Sequence, residues 1–132
     1  MSRSLSYNFD HVHLYCTDVA ASERWLVEGM GAELVRRREV KGAPAADLRM
    51  GGVSIFLRGA QPGEAFGPPG PSRFGTDHFG LAVKDMAATV RELKARGVEF
   101  ETEPMEISPG TRIAFVRGPD SVRIELVERS DG

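Results

Sequence analysis

From His11 to Cys16 the chain alternates, with Val12, Leu14 and Cys16 on one side and His11, His13 and Tyr15 on the other. That is the period of a strand with one buried face. Asp18 then offers a carboxylate suited to capping a helix, and an apolar stripe follows at helical spacing: Ala21 with Trp25, and Ser22 with Leu26 and Met30, ending at Gly29 and Gly31. The same order returns further on. Phe79, Leu81 and Val83 alternate with His78, Gly80 and Ala82, Asp85 precedes Met86, Val90 and Leu93, and Gly97 supplies a left-handed stop. Three shorter strands are predicted after each helix, at about 33–40, 45–50 and 53–58, then at about 98–103, 111–117 and 122–128.

The pattern is therefore βαβββ written twice. Asp10 to Asp18 lies over Asp77 to Asp85 at a constant offset of 67 residues, and Val53 to Leu57 lies over Val122 to Leu126. One domain over 1–132 is expected, with module one at about 7–58, module two at about 75–128 and a connection at about 59–74. The connection holds Pro62, Gly63, Gly67, Pro68, Pro69, Gly70 and Pro71, which suits neither helix nor ladder. It reads as a plain linker, with a lid over a site as the alternative. The fold class is α+β, two paired βαβββ modules forming a cupped, eight-stranded mixed sheet.

Charge and composition narrow the partners. Seventeen Lys and Arg against 19 Asp and Glu give a net charge of −2, leaving no broad cationic field for nucleic acid or anionic lipid. No apolar run reaches the roughly 20 residues of a membrane span, and the opening residues lack an apolar signal segment, so a cytoplasmic protein is expected. Cys16 has no second thiol to pair with and reads as packing. Arg36-Arg37-Arg38 reads as a solvated face.

Parity then selects a chemistry. His11 and His78 occupy equivalent positions on the faces turned away from the helices, and Ile124 and Leu126 place Glu125 on that same side of the last strand. If the two sheets curl toward one another, His11, His78 and Glu125 converge in a concave cup. Two imidazoles and one carboxylate on one side of a divalent ion leave positions open to water or substrate, the catalytic rather than structural type of centre. Taken singly, each of these residues also suits a hydrogen-bonded core histidine or an edge charge.

The doubled unit resembles the paired modules of the vicinal oxygen chelate superfamily, which includes glyoxalase I, methylmalonyl-CoA epimerase, extradiol dioxygenases, fosfomycin-resistance proteins and bleomycin-binding proteins. The resemblance rests on Asp10-His11-Val12 leading to Asp18, Asp77-His78-Phe79-Gly80 leading to Asp85, Leu93 to Val98, and Ile113 to Asp120 running into Ile124-Glu125-Leu126. Carried over by position, it implies a glyoxalase-like fold and the metal ligands His11, His78 and Glu125. Glyoxalase I and the epimerase place a fourth ligand where this chain has Phe56. Extradiol dioxygenases need a further His and a Tyr, and the Tyr-like position is Phe115. Fosfomycin-type anion contacts are replaced by Met105, Pro109 and Phe115.

What the resemblance implies is a divalent-metal enzyme, with Fe, Mn, Ni, Co or Zn as the ion, acting as a lyase, isomerase or dioxygenase on a small substrate chelated through neighbouring oxygens. His13 and Glu125 are the candidate proton carriers. Tyr15, Arg49, Ser54, Phe56, Phe115 and Arg123 are the candidate substrate contacts. A homodimer is expected, with the cup formed in one chain or by exchange of modules. The alternative is a metal-free sequestering protein of the bleomycin-resistance type.

Overall fold

A computed structural model of the chain describes residues 5–68 and 74–130. Module one contains β1 (His11–Tyr15), α1 (Val19–Arg24), β2 (Glu33–Val40), β3 (Ala43–Met50) and β4 (Val53–Arg58). Module two contains β5 (Phe79–Ala82), α2 (Met86–Ala95), β6 (Phe100–Ser108), β7 (Thr111–Arg117) and β8 (Arg123–Arg129). The α+β class and the doubled βαβββ order are as the sequence predicts. The strands divide into two four-stranded sheets, ordered β1-β4-β3-β2 and β5-β8-β7-β6, instead of one continuous eight-stranded sheet. β1 and β5 each end a sheet, and no ladder joins them among the described residues.

The predicted caps are in place. Asp18 accepts from the Ala21 amide at 3.1 Å, and Asp85 from the Ala88 amide at 3.0 Å. Each carboxylate satisfies a first-turn donor that the helix cannot satisfy itself. After α1 the chain widens into a π-helical turn over Trp25–Gly29. Gly97 ends α2 with a φ of +83°. β3 begins at Ala43, two residues before its predicted start, because Pro44 sits at the strand's first positions where a missing amide is tolerated. β6 runs on to Ser108 through Pro104, past its predicted end. It lies at the sheet edge, and its pairing to β7 shifts register there, which accommodates the proline.

The two modules share one core. Leu26, Leu48, Ile55 and Leu57 from module one belong to the same buried cluster as Met86, Val116, Ile124 and Leu126 from module two. The joint is tight: a Cβ on Gly118 would lie 2.7 Å from the Trp25 ring, and one on Gly29 would lie 3.1 Å from Val98. Asp120, held at a φ of +60°, accepts from the Thr17 amide at 3.1 Å and the Thr17 hydroxyl at 2.8 Å. Thus it is the helix-side layers that join the modules. His11, His13 and Tyr15 stay exposed on the other face, as their parity predicts.

The connection at about 59–74 is described up to residue 68 and again from Phe74; residues 69–73 of it lie outside the described residues. Its first part folds back onto module one rather than merely spanning a gap. Arg58 Nη1 and Nη2 donate to Glu64 at 2.7 and 3.1 Å, and the Gln61 side chain donates to the Val40 carbonyl at 3.3 Å.

Candidate metal centre

β5 and β8 run parallel, with Gly80 opposite Glu125, so the residue at the mouth of β5 comes beside the Glu125 side chain. His78 Nε2 lies 3.1 Å from Glu125 Oε1. The other ring nitrogen, Nδ1, donates to Asp77 at 2.8 Å. The hydrogen bond from His78 and the nearby Arg123 cation hold the Asp77 carboxyl below the usual carboxylate range, so it is an acceptor only. Nε2 is thus the ring nitrogen that faces the Glu125 oxygen. A ring nitrogen and a carboxylate oxygen at that distance need a cation or a proton between them. A divalent ion answers the first need, so this donor set fits the ion that the sequence implies.

A second set of charges supports the pair. Arg123 contacts Asp77 and also Glu101, whose oxygens take its Nε at 3.0 Å and its Nη2 at 2.7 Å. Arg117 donates to Glu101 at 2.7 Å. These bonds keep the Glu101 carboxyl low despite its partial burial. The Arg123 guanidinium lies 4.4 Å from the centroid of Phe115, whose ring meets His78 edge-on at 4.9 Å. Arg123 and Phe115, two of the expected substrate contacts, are therefore packed around His78, and the Arg123 charge is already matched by two carboxylates.

Module one repeats half of this arrangement. His11 Nδ1 bonds Asp10 at 2.8 Å, the counterpart of the His78 bond to Asp77. Where Glu125 stands in module two, Phe56 packs its ring 4.6 Å from His11. Among the described residues no three His, Cys, Asp or Glu side chains gather around one point. The structure thus brings His78 and Glu125 together and leaves His11 outside their group, because the modules join through their helix sides and not across the faces that carry the histidines.

The remaining candidates line the same face as His11. Ser54 stands opposite His11 in register, and Arg49 stands opposite Ser54, donating to its hydroxyl at 3.2 Å. His13 lies opposite Phe56 and makes no hydrogen bond among the described residues. Burial first, then the Arg58, His11 and Arg38 charges, pushes its pKa below the ordinary histidine value. Tyr15 stands opposite Arg58, whose guanidinium lies 4.8 Å from the Tyr15 ring centroid. Two features escaped the sequence reading. Arg36 and Arg38, expected on a solvated face, both bond the buried Asp47, at 2.7 and 3.1 Å. Asp10 and Asp77 were read only as motif residues, though an Asp immediately before each histidine was the available clue.

The chain belongs to the glyoxalase/bleomycin resistance protein/dioxygenase superfamily, whose family model matches residues 8–126. Three proteins to which it is similar illustrate the range. It is 28% identical to the uncharacterized protein YwkD of Bacillus subtilis over 123 residues, 90% of this chain and 94% of that one. It is 46% identical over 56 residues to a probable chloroplastic lactoylglutathione lyase of Arabidopsis thaliana, a match covering 42% of this chain and 16% of that protein. The crystal structure of a glyoxylase/bleomycin resistance protein/dioxygenase domain from Frankia sp. EAN1pec superimposes with a TM-score of 0.75 at 26% identity, covering 98% of this chain and 96% of that one. Among the described residues no helix is long and apolar enough to cross a membrane.

Proposed function

We propose that the chain is a divalent-metal-dependent enzyme, of the lyase or isomerase kind, acting on a small substrate held through two neighbouring oxygens. In this reading it works as a cytoplasmic homodimer. His78 and Glu125 of one protomer and His11 of a second copy hold the ion. The observation that carries the reading is the His78–Glu125 pair, 3.1 Å apart with its imidazole fixed by Asp77. His11, with the same aspartate support from Asp10, is the missing third ligand. A bound divalent ion, whether Fe, Mn, Ni, Co or Zn, would supply Lewis acidity toward an enolate or alkoxide oxygen.

The chain's own residues supply the rest. Asp10 and Asp77 orient the two imidazoles. His13, on the His11 face and without a hydrogen-bond partner among the described residues, is placed to take or return a proton at its free ring nitrogen. Arg49, fixed by Ser54, offers a cation beside His11 for an acidic substrate group. Phe56 and Phe115 keep the walls apolar and limit water.

The test is complementation. His11→Ala and His78→Ala homodimers should each lose metal, whereas mixing the two should restore one intact centre per heterodimer and, with half of a freely exchanged mixture heterodimeric, about a quarter of the wild-type metal content. Failure of the mixture to regain metal, with dimers still present, overturns the shared centre. A second reading, metal-free sequestration of an apolar ligand, is favoured by Phe56 in place of a fourth ligand. Wild-type protein that takes up no stoichiometric Fe, Mn, Ni, Co or Zn supports it.

A further inference from the structure

The face that carries His11 also carries a line of rings. Phe56 lies 4.6 Å from His11, and His13 lies 6.5 Å from Phe56 and 5.2 Å from Tyr15, all between centroids. Phe66 closes the line, stacked on Tyr15 at 4.3 Å with 18° between the planes. Phe66 comes from the Pro/Gly-rich connection, which the Arg58–Glu64 pair clamps to β4. Arg58 is only 8% exposed, so the clamp is anchored in the body of the module. The connection is therefore built into the His11-bearing face of module one.

The outer two rings are not buried by this packing. Tyr15 remains 51% exposed and Phe66 47%. Two large rings held rigid, stacked and half in water form a ready surface for a third flat group. The neighbouring charges are already matched, Asp47 by Arg36 and Arg38, and Arg58 by Glu64. With those charges matched, ring stacking is what the strip offers, and that suits a small flat molecule. Four residue steps along β1 take the chain from His11 to Tyr15, about 13 Å at the usual rise. A single six-membered ring chelated near His11 reaches Phe56, whereas two or three fused rings reach Tyr15.

We propose that Tyr15 and Phe66 form an aromatic subsite for the far end of an extended planar ligand whose near end carries the chelating oxygens. This rests on the metal-centre reading above and names its substrate class. The probes are alizarin, a three-ring vicinal diol, and catechol, its single-ring counterpart, titrated into zinc-loaded protein. Phe66→Ala should weaken alizarin five- to tenfold, leave catechol within twofold and leave zinc content unchanged, and Phe66→Trp should restore alizarin. Alizarin unchanged in Phe66→Ala, or catechol falling by the same factor, overturns the subsite. His11→Ala separates the two readings. Loss of both probes there supports the metal centre, whereas undiminished alizarin binding that still depends on Phe66 keeps the subsite and removes the metal from it.

Discussion

Phe56 packs against His11 in the place that Glu125 takes against His78. The duplicated halves thus make one spatial pair twice, once with a ring and once with a carboxylate. Replacing Phe56 by Glu gives module one the oxygen ligand it lacks. Phe56→Glu should tighten cobalt or zinc binding by about tenfold, read by isothermal titration. Exchanging a half-buried ring for a charge should cost about 1–2 kcal/mol of stability. Unchanged metal affinity would argue against His11 as a ligand.

Asp77 is the support of His78. Asp77→Asn keeps the shape but removes the carboxylate that fixes the Nδ1 proton, and should lower metal affinity by about tenfold or more. Global stability should change little, since exposed pairs contribute little. The split between a large shift in metal titration and a small one in urea unfolding checks the assignment. Equal losses in both would mean that Asp77 is merely structural.

Gly118 has no room for a side chain against Trp25. Gly118→Ala should destabilise the chain by about 2 kcal/mol through overpacking at the joint between modules. Gly67→Ala, with nothing within 4 Å of the added carbon, is the control and should be near neutral. Thermal unfolding of the two variants side by side decides the matter.

Asp47 provides a pH test remote from the candidate ligands. It is 6% exposed, and although burial alone would raise its carboxyl pKa, hydrogen bonds from Arg36 and Arg38 outweigh that and hold it below the ordinary value. The folded value is thus below the unfolded one, so the stabilisation is complete above about pH 4 and is lost as pH falls through the folded value. Asp47→Asn should lower stability at pH 7 by about 1–2 kcal/mol, and the gap to wild type should shrink as the pH is lowered below 4. Urea midpoints at several pH values measure it, and a gap that widens in acid would contradict the sign.

Much of this could be read from residue order. Alternation in β1, β5 and β8 gave the correct faces for His11, His78 and Glu125 because one side of each strand must meet a helix. Asp18 and Asp85 marked both helix starts. What escaped depends on register between distant strands. Nothing local announces that Arg36 and Arg38 converge on Asp47 while Arg37, facing the other way, reaches Glu23 on α1. The Pro and Gly content of the connection concealed Glu64, which turns back to pair with Arg58 six residues earlier. The position of His11 relative to His78 was equally hidden, since the side on which the halves meet is decided by Trp25 fitting over Gly118.

The merged core has a price in modularity. Each half exposes, on its own, the apolar layer that the other now covers, so cutting the chain between residues 68 and 74 should yield two fragments that aggregate apart and fold only when mixed. Sequence symmetry survives in this protein, but the buried cluster does not respect the boundary between the repeats.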